Sequence, residues 1–192
     1  SQMSPAIRTI IACCLALAGF AAGHLVAAAQ ADPPADEKAW TLVAGGFDRL
    51  DDVTALAADD IWAVGDGLVH FDGDEWRQTA GDTPQFTAVD AVSHDAVWAA
   101  GTQESYCIVQ GVVYRFDGQS WLPEPVETHE SIYDLKMLDR TEGWAVGGER
   151  QAVILRYDGE SWQPVAAPEI AGLRAVDFFE DGTGYAVGLG GS

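Results

Sequence analysis

Positive charge and cysteine are scarce in this sequence. Ten lysines and arginines stand against 30 aspartates and glutamates, a formal net charge of −20. A phosphate backbone needs a basic face, so nucleic acid is excluded as a partner. Acidity of this order fits solubility outside the cell. Of the three cysteines, Cys13 and Cys14 fall in an apolar N-terminal run and only Cys107 lies in the body of the chain. One cysteine closes no internal disulfide, which excludes a disulfide scaffold and leaves Cys107 a small apolar residue or a free thiol. Cysteine and histidine show no zinc spacing. His70, His94 and His129 occupy different places in the repeat described below, so neither a metal nor a cofactor is expected. No segment after the N-terminal run has a convincing 3.6-residue apolar period, which excludes helical repeats.

The apolar run spans residues 9–31. Arg8 precedes it, the small-residue exit Ala29-Gln30-Ala31 ends it, and the polar stretch "DPPADEK" follows. A basic start, an apolar middle and an A-x-A exit describe a secretory signal peptide. The expected organisation is therefore a leader over 1–31 (3–31 if Ser1 and Gln2 are extraneous), a linker over 32–39 and a folded body over 40–192. The alternative is an uncleaved anchor, which would be the one link to a membrane. The expected location is periplasmic, secreted or on the surface of a bacterium.

The body repeats. The glycine ending "WAVG" or its variants stands at 65, 101, 147 and 188, and an Asp-Gly pair precedes a tryptophan at 76, 121 and 162. Trp40 sits 36 residues before Trp76, like the tail of an earlier unit. Each unit reads as four short strands, a to d. Strand a is mostly apolar ("VTALAA", "FTAVDAV", "IYDLKML", "LRAVDFF"). Strand b is the "WAVG" segment, whose alanine and glycine leave room for neighbouring sheets. Strand c is "LVHF", "VVYRF" or "VILRY", and an Asp-Gly turn with both residues at positive φ leads into strand d. Four antiparallel strands recurring about every 40 residues make a β-propeller blade. The units fall at about 53–80, 86–125, 132–167 and, in part, 173–192. The predicted fold is all-β: a propeller of four-stranded antiparallel blades, about three and a half of them, forming an incomplete ring. Further chain or self-association would close it.

The pattern "WAVG…FDGxSW" resembles the blade repeat of the BNR or Asp-box propellers, and of the related propellers typified by the photosystem II assembly factor. The resemblance covers residues 40–192. Asp117-Gly118-Gln119-Ser120-Trp121 keeps the aspartate, glycine and tryptophan of an Asp-box but lacks its leading serine and spacing. It implies the propeller fold and leaves function open, since propellers host unrelated activities.

Repetition separates frame from site. Trp62, Trp98 and Trp144 recur in strand b and Trp76, Trp121 and Trp162 open strand d, so all are read as structural. Asp72, Asp117 and Asp158 recur in the c–d turn and are read as turn formers. The b–c and d–a loops vary, and variable loops on a regular scaffold carry function. They supply the candidate ligand-binding residues Glu104, Tyr106, His129, Glu130, Glu149 and Arg150. The insertion at 102–111 is read as the longest of the b–c loops. The expected function is an exported, non-catalytic binding or scaffold module that takes a protein or glycan on this face. One alternative is a sialidase-like glycoside hydrolase, which needs arginines converging beside a Tyr/Glu pair. No such triad can be assembled from Arg49, Arg77, Arg115, Arg140, Arg150, Arg156 and Arg174. The other alternative is a calcium-stabilised surface protein, suggested by the acidity.

Overall fold

The computed structural model describes residues 47, 49–65, 67–80, 84–106 and 108–189. The expected leader, the linker, the strand at Trp40, Cys107 and the last three residues lie outside the described residues. Residues 49–192 form one contact unit.

Among the described residues, fourteen strands make three four-stranded antiparallel sheets and a two-stranded one. Blade 1 is β1 (Leu50–Ala57), β2 (Asp60–Gly65), β3 (Leu68–Phe71) and β4 (Trp76–Ala80). Blade 2 is β5 (Gln85–Ser93), β6 (Ala96–Ser105), β7 (Ile108–Phe116) and β8 (Trp121–Glu124). Blade 3 is β9 (Ile132–Met137), β10 (Gly143–Gly147), β11 (Val153–Tyr157) and β12 (Trp162–Val165). Blade 4 has β13 (Leu173–Phe178) and β14 (Gly184–Gly188). Within each sheet the strands pair in chain order, as a meander. The propeller-blade architecture predicted from the repeat is the architecture found.

Each apolar core lies between two successive blades. Trp62, Val64 and Leu68 of blade 1 cluster with Phe86, Val97 and Ala99 of blade 2. Trp98 of blade 2 clusters with Leu135, Leu155, Tyr157 and Trp162 of blade 3. The strand-b aromatic is the plug of each junction. Trp62 meets Trp121 edge-on at 5.7 Å and Trp98 meets Tyr157 at 5.9 Å. Trp62 and Trp98 are fully buried, whereas Trp144, against Phe178, is half-buried and Tyr185, in the same repeat position, is exposed. The strand-d tryptophans tie the outer rims. Trp121 Nε1 donates to Thr79 Oγ1 at 3.1 Å and Trp162 Nε1 to Glu124 Oε2 at 2.7 Å, each reaching the residue three after the preceding blade's strand-d tryptophan.

Two expectations are corrected here. The Asp-Gly turns are not two-residue hairpins with both residues at positive φ. Only Gly73, Gly118 and Gly159 have positive φ, and four residues separate the strands. The aspartate caps the turn: Asp72, Asp117 and Asp158 each accept two backbone N–H groups from the residues two and three ahead. A short carboxylate that satisfies its own turn does not need the left-handed region. The glycine is needed twice over, because a Cβ on Gly73 or Gly118 would also press on Asp59 or Asp95 of the a–b turn. Similarly, the "WAVG" glycine makes room within its own sheet. A Cβ on Gly65, Gly101 or Gly147 would lie 2.0–2.2 Å from a carbonyl oxygen at the start of strand a.

The axis carries a device the repeat did not advertise. Strands a of successive blades pack on one another, and an aspartate in each reaches forward. Asp52 Oδ2 accepts from Val89 N–H at 2.8 Å, Asp90 Oδ2 from Met137 N–H at 2.8 Å, and Asp134 Oδ2 from Val176 N–H at 2.7 Å. Burial pushes the Asp52 and Asp134 carboxyls above their ordinary value, and repulsion from Asp90 adds to it. The exposed aspartates move the other way: backbone donors lower Asp72, Asp117, Asp139 and Asp158, and the Arg140 guanidinium with Ser93 holds Asp95 at about 2.

These shifts set a two-sided pH profile. Asp52 and Asp134 bind a proton more tightly folded than unfolded, so they subtract stability as pH rises above 3.8 through their raised pKa values. Asp95 and the turn aspartates bind it less tightly folded, so their stabilisation is lost as pH falls below 3.8. Denaturant midpoints across the acid range should therefore show Asp52→Asn flattening the limb above 3.8 and Asp95→Asn the limb below it. Identical profiles for the two variants would rule this division out.

Candidate functional site

The b–c and d–a loops converge where blades 2 and 3 meet. The insertion at 102–111 is not a loop, which corrects the sequence reading. β6 and β7 run through it, pairing Thr102 with Gly111 and Ser105 with Ile108, and only two residues separate the strands. The result is a projecting hairpin. Tyr106 at its tip is fully exposed and is the one non-glycine among the described residues at positive φ (54°). A bulky residue in the left-handed region is an outlier worth a functional question. Ile108 and Val109 beside it are 62% and 39% exposed, while Glu104 faces solvent.

The hairpin leans on the d–a loop through Gly111. A Cβ there would lie 2.7 Å from both Thr128 Cγ2 and the Glu130 carbonyl oxygen. That loop is shaped by Thr128, whose Oγ1 accepts from Glu130 N–H at 3.1 Å. The same loop helps to line a cleft of about 460 Å³, with Glu127, His129, Glu130, Gln151, Ala152 and Val165 in its wall. Glu130 Oε2 accepts from Glu149 N–H at 3.0 Å, and Glu149 Oε1 accepts from Tyr133 Oη at 2.9 Å. The Arg174 guanidinium stands 3.7 Å over the Tyr133 ring, and its buried Nη1 has no hydrogen-bond partner among the described residues.

Four of the six sequence candidates thus sit around one loop: His129, Glu130, Glu149 and Arg150. Glu104 and Tyr106 stand on the hairpin beside it. Sequence reasoning missed Tyr133 and Arg174, which sit in strands that looked purely structural. Both fall at the irregular step in the register where strand a enters its sheet. The surface is acidic, with Glu104, Glu127, Glu130 and Glu149 against His129 and Arg150, and it is apolar at the hairpin tip. The remaining arginines among the described residues are engaged elsewhere. Arg49, Arg77, Arg140 and Arg156 pair with carboxylates, and Arg115 stands 5.6 Å over Trp98.

One expectation fails at the opposite end of the blades. His70 and His94, at different repeat positions, were expected to form no metal-binding group, yet they meet around Asp60. His70 Nε2 lies 2.8 Å from Asp60 Oδ1 and His94 Nδ1 lies 3.2 Å from Asp60 Oδ2. Different repeat positions converge because His94 belongs to the a–b turn of blade 2 and His70 to strand c of blade 1, on either side of a blade junction.

No family model matches the chain, and no curated protein matches it in sequence. Solved structures do. The chain is similar to YCF48 bound to a D1 peptide, at 19% identity and a TM-score of 0.52, over 73% of this chain and 46% of that one. It is similar to YCF48 from Cyanidioschyzon merolae at 16% identity and a TM-score of 0.54, over 71% and 47%. The chain spans about half the length of the structures it matches. The likeness is one of fold, and it is to the assembly-factor type of propeller that the repeat resembled.

Proposed function

We propose that the chain is a propeller binding module that takes an extended peptide segment of a partner protein on the face formed by the β6–β7 hairpin and the 127–130 loop. The observation that carries this reading is the tip of the hairpin. Tyr106, Ile108 and Val109 expose apolar surface on a hydrogen-bonded two-stranded support beside a cleft, where a peptide gains contact area. Carboxylates at 104, 127, 130 and 149 surround it, so the segment should alternate apolar with basic side chains. The YCF48 structure solved with a D1 peptide supports a peptide ligand for a fold of this kind.

Fluorescence anisotropy tests it with two labelled pools of roughly 12-residue peptides. One pool alternates Leu, Val and Tyr with Lys and Arg, the other with Asp and Glu. The basic pool should bind, and the double variant Tyr106→Ser with Ile108→Ser should weaken it at least about tenfold, or ~1.4 kcal/mol. Binding that ignores the double variant, or equal weakness of both pools, removes the reading.

A second reading, glycoside hydrolysis of the sialidase type, draws on the Tyr133–Glu149 hydrogen bond with Arg174 over the tyrosine ring. Such an active site needs several arginines converging on a substrate carboxylate, and one stands here. Turnover of a fluorogenic sialoside that is lost in Tyr133→Phe would put this reading first.

A further inference from the structure

The cluster at the junction of blades 1 and 2 departs from the repeat at both of its histidine positions. The residue opposite the strand-b tryptophan is Arg115 in blade 2 and Arg156 in blade 3, each guanidinium lying over its ring. In blade 1 it is His70, stacked on Trp62 at 4.0 Å with 26° between the planes. Two residues before that tryptophan stand Ala96 in blade 2 and Glu142 in blade 3, the latter pairing with Arg156 at 2.9 Å. In blade 1 it is Asp60. The a–b turn of blade 3 sends Arg140 back to Asp95 of blade 2, whereas the a–b turn of blade 2 sends His94 back to Asp60 of blade 1. At both cationic positions a guanidinium, which has no lone pair to offer, is replaced by an imidazole, which has one.

The geometry points to a divalent transition-metal site of the zinc type, with Asp60, His70 and His94 as ligands and one position open to solvent. It clips blade 1 to blade 2. The donor atoms of the three residues lie within 4.8 Å of one another. Bond lengths of about 2.0–2.2 Å place tetrahedral ligands ~3.3 Å apart. His94 Nδ1 lies 3.2 Å from Asp60 Oδ2, already close to that spacing, while His70 Nε2 lies 2.8 Å from the other oxygen, Oδ1, so a shared ion requires the His70 ring or the carboxylate to shift within the cluster. Two imidazoles and one carboxylate form one of the ligand sets that hold zinc with a fourth position open. The surroundings supply what such ligands require. Trp62 Nε1 donates to Asp60 Oδ1 at 3.0 Å, orienting the carboxylate and leaving Oδ2 lone pairs available. The same indole holds the His70 ring plane by stacking. His70 and Asp60 are largely buried, and His94, with its side chain 64% exposed, closes the site from the solvent side and gives the ion its entry path.

The test uses the full, untagged chain stripped with EDTA and titrated with Zn²⁺ by calorimetry and with Co²⁺ by visible absorption. One equivalent should bind saturably, Co²⁺ should give the intense bands of a four-coordinate site, and Zn²⁺ should raise the melting temperature. His94→Ala, exposed and therefore neutral for folding, and His70→Gln should each weaken binding by at least about a hundredfold, more than the loss of an outer partner costs. His24→Ala, outside the cluster, should bind as the parent does. Absence of saturable binding overturns the proposal. So does binding that survives both His94→Ala and His70→Gln, since the metal would then sit elsewhere in the chain.

Discussion

Trp98→Ala is expected to lower the unfolding free energy by about 3–5 kcal/mol, the range for deleting a large aromatic from a core. Trp98 is fully buried, and its neighbours come from two sheets: Ala88, Ala100 and Val113 on its own blade, Leu135, Leu155 and Tyr157 on the next. Sheets held apart by their own hydrogen-bonded frames cannot collapse onto an empty site as a loop would, so most of the cavity persists. The Arg115 guanidinium, 5.6 Å from the ring centroid, loses its aromatic partner as well. For a chain of this size the melting temperature should drop by roughly 10 °C. Trp144→Ala provides the internal comparison. It occupies the same repeat position but is only half-buried against Phe178, so its cost should be clearly smaller. Urea denaturation of the two variants side by side measures both. Equal losses would mean that burial between blades is not what the strand-b tryptophan contributes.

That contrast also shows how far the repeat can be read. The strands, their order and the junction tryptophans were legible because one sheet recurs and each copy must solve the same packing problem. What varies between copies was harder to see. Asp52 and Asp134 lie opposite a valine of strand b, whereas Asp90 and Asp177 lie opposite its aromatic. No single repeat column therefore contains the axial aspartates, and each looked like a polar interruption in a buried strand. The partners of Asp52, Asp90 and Asp134 lie 37, 47 and 42 residues further on, a separation that only the packing of successive blades bridges. The His70–His94 meeting escaped for a related reason. Metal-ligand spacings familiar from single turns or helices do not apply across a blade junction, and reading the positions within one blade separated residues that two blades place side by side. The projecting hairpin was recognised as an insertion but not as strand. Thr102–Ser105 and Ile108–Gly111 do not alternate cleanly, and Tyr106 at positive φ carries none of the asparagine or glycine signal that normally marks such a turn.

Asp90→Ala should be the most damaging change along the axis, at about 3 kcal/mol. Its side chain is the meeting point of three blades. Oδ2 accepts from Met137 N–H of blade 3 at 2.8 Å and lies 3.2 Å from Lys136 Nζ, while Oδ1 accepts from Thr54 Oγ1 of blade 1 at 3.4 Å and from the neighbouring Ala91 N–H at 3.0 Å. Asp90 is only 7% exposed, so its removal leaves the Met137 amide without a carboxylate and with little access to water. An orphaned buried donor costs ~1–3 kcal/mol, and donors that lose an ionised partner fall at the upper end. Lys136 is partly exposed, so solvent screens the charge it loses and the pair adds little. Asp90→Asn separates the two contributions. Its amide oxygen can still accept from Met137 N–H, so it should keep most of the stability and slow exchange at that amide, at a cost of about 1 kcal/mol. Denaturant midpoints rank the variants, and hydrogen exchange at Met137 reads the clasp itself. If alanine and asparagine prove equally costly while Met137 stays protected in both, the carboxylate acts through its charge and the forward hydrogen bond is incidental. If protection is lost only with alanine, a single hydrogen bond from each blade to the next keeps the inner strands in register.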